Sequence, residues 1–536
     1  MSAQVKRLIM LADARLKHAS MNWQIRRKAQ QILSKPINSD QAPIVFFNAS
    51  TRLRGLSLNA AFSLLSAWSL QMKGVPVIPF VCTRGMKRCV LGTNRYEISN
   101  PPPCQRCIQQ SQVLYKNLNV SKYEYTEDAD LRAAIQGLDI HALSTYKYQN
   151  MPLGQLVLPS ARWILRRHNL EANPETLTIL KDYILSAWSI RHAFEALLKE
   201  VNPQSVVVFN GMMYPEAVVR WVSTQHDIPS YSHEVGIAPF SAFFTPGEAT
   251  AYPVSIPDDY HLNEKQNIKL DDYLSRRFKG KFTMAGQQFW PEMSSLDEKF
   301  LKKAENFTQI VPVFTNVIFD TSQPHANVIF SDMFEWLDQV VEIAKAHKDT
   351  LFIIRAHPDE ARPGKASEES VADWVRKRKI KNIPNIGFVR PDEYFSSYEM
   401  IQRAKFIMIY NSTIGLEASI MGKPVLCAGK ARFTQLETVF FPKSIKAFRE
   451  QADAMLRAES IDVPPSFKEN ARRFLYFQLY RTSLPFTDFL EEDNVWRGYV
   501  RLKDFEPQAL LPENSPTTHA IHEGLLHQGD FLLKEN

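Results

Sequence analysis

Apolar positions fall into short runs separated by amphipathic stretches, the alternation expected of strands and helices in a doubly wound sheet. Residues 44–47 form a fully apolar run, and Asn48-Ala49-Ser50-Thr51 leads from it into a helix whose Leu58, Phe62, Leu65 and Met72 share one face. Gly74 ends that helix and residues 75–81 make the next strand. Residues 205–209 (SVVVF) read as a strand buried on both faces. Asn210-Gly211 follows, then a helix over 215–225 and a strand over 229–232. The pattern restarts further on, with strands at 310–314, 351–356, 386–389, 406–410 and 425–427. Between the first two, Phe330, Phe334, Leu337, Val341 and Ala344 mark a helix face, and a helix over 367–379 runs from Glu368 and Glu369 to a basic end that suits its dipole.

This predicts an α/β protein with two doubly wound Rossmann-like domains facing a cleft. The expected divisions are a basic helical arm over 1–40, a first domain over 41–295, a second over 296–445, and a helical extension with a polar tail over 446–536. The polar stretch 256–295 is the expected connector. No strand is expected after Pro442, and the tail beyond Pro507 reads as loosely ordered.

The arm carries Lys6, Arg7, Arg15, Lys17, Arg26, Arg27, Lys28 and Lys35 among Leu8, Leu11, Leu16, Trp23 and Ile25. Such a helix can lie on an anionic membrane surface, or it can pack on the first domain with its charges in water.

Composition narrows the classes. Over 536 residues, 45% hydrophobic and 23% charged positions supply a large core and exclude wholesale disorder. The net charge of +7 is a weak bias toward anionic partners, and with no RNA- or DNA-reading motif, nucleic acid is not an expected partner. The apolar run 75–82 has eight residues, against the roughly 20 that span a bilayer. A cytoplasmic protein is expected, with peripheral contact at the inner face of the cell membrane through the basic arm.

Four constellations can carry chemistry. Arg355-Ala356-His357-Pro358 ends a strand, where open parallel sheets bind ligands; a histidine there can donate to a phosphate, or serve only loop backbone groups. Asn411-Ser412-Thr413-Ile414-Gly415-Leu416-Glu417 passes from strand end to helix start, where N–H groups and hydroxyls suit an anion. Glu417 can take ribose hydroxyls or stabilise its helix end. Cys82, Cys89, Cys104 and Cys107 have a spacing that suggests a structural zinc site, with free loop thiols as the alternative. Asn210-Gly211 with Glu216, and His233-Glu234, follow first-domain strands; His233 or Glu234 can act as acid or base. Asp320, Ser322, Gln323 and His325 sit in the loop after the first strand of the second domain, with roles the sequence does not separate.

The runs RAHPDEARPGK and RPDEYFSSYEMIQRAKFIMIYNSTIGLEASIMGKPVLCAGKARF resemble the second domain of the bacterial capsule polysaccharide biosynthesis family, and FNGMMYPEAVVRWVSTQHDIPSYSHEVG resembles its first. The likeness spans roughly 44–442 and implies a GT-B architecture related to Kdo transferases. It further implies a glycosyltransferase moving a sugar from a nucleotide-sugar donor (CMP-, UDP- or CDP-linked) to a capsular or other surface polysaccharide or a lipid-linked acceptor. His357-Pro358 and Ser412-Thr413 match the family's phosphate-binding motifs, with Arg355, Asn411 and Gly415 beside them on the donor side. Glu417 matches the acidic residue used on the donor ribose. The cysteine-rich insertion and the long arm depart from the family's general pattern. A nucleotide-sugar epimerase, a glycerophosphotransferase and a non-catalytic nucleotide-sugar-binding assembly protein stand as alternatives.

Overall fold

A computed structural model describes residues 3–33, 40–50, 55–278, 294–493 and 498–535. Thr51, Lys35 and residues 279–293 of the expected connector lie outside them, while the rest of that stretch includes helix Glu264–Phe278.

Strand Ile44–Asn48, rich in β-branched and aromatic residues, lies at the middle of a seven-stranded sheet. It pairs in parallel with Val77–Cys82 on one side and Ser205–Phe209 on the other. Ser121–Tyr123 extends the first side. Ser230–Val235 extends the second in parallel, and Ser241–Pro246 then adds an antiparallel strand. The chain therefore builds outward one way, returns to the centre and builds the other way, leaving a crevice between the carboxyl ends of Ile44–Asn48 and Ser205–Phe209.

The second sheet repeats this logic with five parallel strands. Gln309–Phe314 is central, flanked by Thr350–Arg355 and then Ile386–Val389 on one side. Ile407–Ile409 and then Val425–Cys427 lie on the other. Its crevice opens between Gln309–Phe314 and Ile407–Ile409, from which the His357 and Ser412 loops depart on either side. Two doubly wound sheets, the first mixed at one edge and the second wholly parallel, each with helices packed on it, are the architecture the alternating pattern implies.

Three expectations need correction. The tail is not loose: after helix Pro465–Tyr480 the chain crosses back to the first sheet. Leu484–Pro485 pairs with its edge strand, and Leu490–Glu492, Tyr499–Leu502 and Leu56–Ser57 form a small antiparallel sheet. Phe486, Leu490, Val500, Leu502, Ile521, Leu525 and Phe531 enter the same core as Phe46, Phe62 and Trp68. Sparse apolar residues in a polar tail suffice here because each lands on an existing apolar surface.

The helix expected over 367–379 is the shorter Val371–Lys377, capped by Ser370, whose hydroxyl accepts from Asp373 N–H. Glu369 stays outside it and joins the lobes instead. Its carboxylate accepts from the N–H groups of His168 and Asn169, both at 2.9 Å, and from Asn169 Nδ2 at 2.8 Å. The first domain also holds a helical layer with no predicted counterpart, including Leu153–Leu165 and the long Pro174–Val201.

In the arm, helix Ala3–Ile32 buries Met21, Ile25, Ala29 and Ile32 against the first-lobe core while Leu16 and Trp23 remain exposed. No helix among the described residues is long and apolar enough to cross a membrane.

Candidate active site between the lobes

At the end of Ser205–Phe209 the chain turns through Asn210 and Gly211, both at positive φ (60° and 82°). A Cβ on Gly211 would sit 2.4 Å from Ser232 Oγ, so the tight turn there demands glycine. The turn brings Asn210 Nδ2 to 2.8 Å from Glu234 Oε2. Asn59 Nδ2 and Val235 N–H donate to the other oxygen at 3.3 and 2.8 Å. Burial nevertheless raises the Glu234 pKa above the ordinary carboxyl value, against those hydrogen bonds and with help from the negative charge of Asp320. Asp320 belongs to the loop after Gln309–Phe314, so the charge of a second-lobe carboxylate is felt at first-lobe Glu234.

His357 follows Thr350–Arg355 and opens a short turn of 3₁₀ helix, Pro358–Ala361. Its Nδ1 accepts from Asp359 N–H at 3.1 Å. In the neutral ring this leaves the proton on Nε2. Burial lowers the His357 pKa; Asp359 and Asp320 oppose that and Arg355 adds to it. The same Asp320 thus acts on both Glu234 and His357.

On the other side of the central strand, Asn411 Oδ1 accepts from Asn316 Nδ2 at 2.8 Å and Gln323 Nε2 at 3.3 Å. These contacts tie the 316–325 loop to the Ser412 loop directly over the crevice. Ser412 is buried and Thr413 exposed at the start of Ile414–Ile420. The strands that end at His357 and at Ser412 are two inter-strand spacings apart, about 10 Å.

Several candidates serve other purposes. His233 lies in strand Ser230–Val235 with its ring 5.2 Å from that of Phe244 and 6.1 Å from that of Phe209. It is 2% exposed, and burial pushes its pKa down to about 3, so it is a neutral core residue rather than an acid or base. Strand alternation separates it from its neighbour Glu234. Glu216 is likewise buried in the first turn of Tyr214–Gln225, and burial pushes its pKa up to about 8.

Arg355 Nη1 donates to the carbonyls of Arg390 and Glu393 and so braces the strand end, while its Nη2 is buried with no acceptor in the protein. Gly415 acts through its missing side chain: a Cβ would meet Ile409 Cδ1 at 2.3 Å and Phe433 Cζ at 3.2 Å. Glu417 is buried and held by Arg277 on Oε1 and by the Tyr398 hydroxyl on Oε2, which turns it into the second lobe.

Cys104 and Cys107 act electrostatically on both Cys82 and Cys89, while among the described residues no three His, Cys, Asp or Glu side chains are placed to hold an ion. Cys82 Sγ accepts from Gly85 N–H and Cys89 Sγ from Gly92 N–H, so both thiols close local turns. Burial pushes their pKa values up to about 11 and about 12, which keeps them as thiols. Cys427 is a buried core thiol.

Sequence reasoning did not find Asn59 or Asn316, since an isolated Asn carries no periodic signal. It placed Asp320 near the cleft without a partner. The lobes are held together there by Glu248 and His325 (Oε2–Nε2 2.6 Å), by Arg432 over the Tyr252 ring (4.1 Å), and by Val254 N–H on Gln435 Oε1 (2.8 Å).

Residues 271–453 match the family model for capsule polysaccharide biosynthesis protein. That segment contains His357, Asn411 and Ser412. No curated protein matches the chain. Among solved structures, the beta Kdo 2,4 transferase KpsC of Thermosulfurimonas dismutans is 10% identical, with 52% of this chain and 80% of that one covered at a TM-score of 0.34. A UDP-GlcNAc 2-epimerase from Neisseria meningitidis bound to UDP-GlcNAc is 13% identical over 81% of this chain and 98% of its own, with a TM-score of 0.23. Sucrose-phosphate synthase from Thermosynechococcus elongatus is 10% identical over 82% and 95%, with a TM-score of 0.27. The two-lobe architecture is read from the sheet orders themselves.

Proposed function

We propose that this chain, whose residues 271–453 match the capsule polysaccharide biosynthesis family, is a glycosyltransferase that moves a sugar from a nucleotide-sugar to a saccharide acceptor. The observation that carries this reading is that the charge of Asp320, in the loop after the central strand of the second sheet, acts on both first-lobe Glu234 and second-lobe His357, each at the carboxyl end of its sheet. A donor phosphate would lie between the His357 and Ser412 loops, and an acceptor would enter over the first lobe. The acceptor hydroxyl oxygen attacks the anomeric carbon, the bond from that carbon to the phosphate oxygen breaks, and the hydroxyl proton passes to the Glu234 carboxylate. A raised pKa suits Glu234 to that task. The leaving phosphate gains negative charge, which the Nε2–H of neutral His357 and the Ser412 and Thr413 hydroxyls stabilise. Lobe closure through the Glu248–His325 and Glu369 contacts excludes water and limits donor hydrolysis.

The acceptor class that best fits is a growing surface polysaccharide or glycolipid, and the basic arm offers peripheral contact with an anionic membrane surface. The first test is a thermal-shift screen against CMP, CDP, UDP and GDP; a ligand at 100 times its dissociation constant adds about 2.7 kcal/mol. Product analysis with the stabilising nucleotide's sugar conjugates follows. Sugar transferred to an oligosaccharide supports the reading. An epimerised donor, a transferred glycerophosphate, or a nucleotide bound but never consumed each replaces it.

A further inference from the structure

Helix Leu153–Leu165 ends at Arg166 in the left-handed region (φ 58°), a conformation that glycine usually supplies at a helix end. The turn places the guanidinium of this first-lobe residue between two rings, 4.3 Å from that of Trp163 and 4.9 Å from that of Phe319 of the second lobe. Stacking satisfies the faces of a guanidinium but leaves its N–H groups to find acceptors in its own plane. Arg166 is 6% exposed, and its Nε and Nη1 are buried with no acceptor in the protein. Arg95 has a buried Nη1 in the same condition, and its positive charge acts on Arg166. Arg95 is itself held by the Tyr96 ring, 4.7 Å away, and by the Tyr96 hydroxyl. The nearby carboxylates Asp332 and Glu369 act on Arg162 instead. Two like charges thus share a buried corner, with three N–H-bearing nitrogens unpaired.

Burial and Arg95 together push the Arg166 pKa down to about 10, and it remains cationic at neutral pH. A small crevice lined by Arg162, His168, Phe319, Asp320 and Gln323 adjoins this corner at Phe319, the ring on which Arg166 stacks. Asp320 and Gln323 belong to the loop that serves the candidate active site, so the arginine corner lies beside that loop.

We propose that Arg95 and Arg166 form an oxyanion subsite on the first lobe that takes a carboxylate or phosphate group of the acceptor saccharide. Paired guanidiniums recognise both groups through in-plane N–H donors, which are the ones left unpaired here. This rests on the transfer reading for the word acceptor; the anion site itself does not.

The full-length protein is titrated calorimetrically with inorganic phosphate and separately with glucuronate, with and without the nucleotide found by the thermal-shift screen. The tighter of the two anions identifies the acceptor's charged group. Binding is expected with either nucleotide state, and Arg166→Met or Arg95→Gln is expected to weaken it tenfold or more while nucleotide affinity stays within twofold. Arg95 is only partly buried and lies outside the hydrophobic core, so its variant keeps the test valid if the Arg166 variant fails to fold. Unchanged anion affinity in a folded variant, no binding of either anion, or competition between anion and nucleotide overturns the assignment. Anion binding that depends on both arginines in a protein that transfers no sugar leaves the subsite standing and removes the transferase reading.

Discussion

Arg277 Nε and Nη2 both donate to Glu417 Oε1, at 2.8 and 2.6 Å, while the Tyr398 hydroxyl donates to Oε2 at 2.5 Å. A carboxylate whose place after a strand end invites a ribose is thereby turned inward, 4% exposed, to join helix Glu264–Phe278 to the second lobe. Glu417→Gln removes the charge but keeps the shape. It should cost about 2 kcal/mol, below the ~3–5 kcal/mol for breaking a fully buried pair, because Arg277 keeps some contact with water. Urea unfolding measures this, and nucleotide affinity of the folded variant should be unchanged. Full stability with a tenfold loss of nucleotide affinity would restore the ribose role.

His357→Ala should lower kcat about 10²–10³-fold, the effect of removing one donor to a charge that develops during reaction. His357 sits in the loop beyond the strand end, outside the hydrophobic core clusters, so the unfolding midpoint should move far less than the rate. Steady-state rates beside a thermal melt decide the point, and an unaltered rate takes the imidazole out of the chemistry.

Glu234→Gln keeps the hydrogen bond to Asn210 in a flipped amide but cannot accept the acceptor's proton. A kcat loss of about 10²–10⁴ with unaltered donor KM is expected. In the unsubstituted protein the rate should climb with pH through a carboxyl pKa above the ordinary value, since the base must be ionised. A pH–rate profile flat down to pH 4 argues for another base.

The His233 pKa of about 3 in the folded protein lies below its ordinary value of 6.5. Below pH 6.5 the unfolded chain takes up a proton that the folded chain refuses until near pH 3. The contribution of neutral His233 is therefore full above pH 6.5 and is lost as pH falls toward 3, at about 1.4 kcal/mol per pH unit. At pH 5 the loss is ~2 kcal/mol. His233→Leu should flatten that part of the profile, seen as urea midpoints at pH 7.5 and pH 5. An identical pH slope in the variant would show that the ring is not held neutral by its strand.

Apolar runs of strand length, with amphipathic helices between them, sufficed to specify two doubly wound sheets. The side-chain period of two in a strand and 3.6 in a helix is a local property of the backbone. The same locality set His357-Pro358 and Asn411-Ser412-Thr413 at strand ends, because proline and small polar residues interrupt a strand wherever they occur. Partners were another matter. Glu417 lies 140 positions from Arg277, and Glu369 lies 201 from the His168 N–H it accepts. No local pattern encodes such a pairing, which only the packing of helices and lobes brings about. The tail shows the same divide, since Phe531 is one aromatic in a polar stretch until the first-lobe core closes over it. Sequence settled the alternating strands and helices at the centre of each sheet and where the loops of the candidate site begin. The tertiary structure decided which charges were consumed within the protein and which, as at Arg95 and Arg166, were left for a ligand, because burial and partnership exist only after the lobes meet.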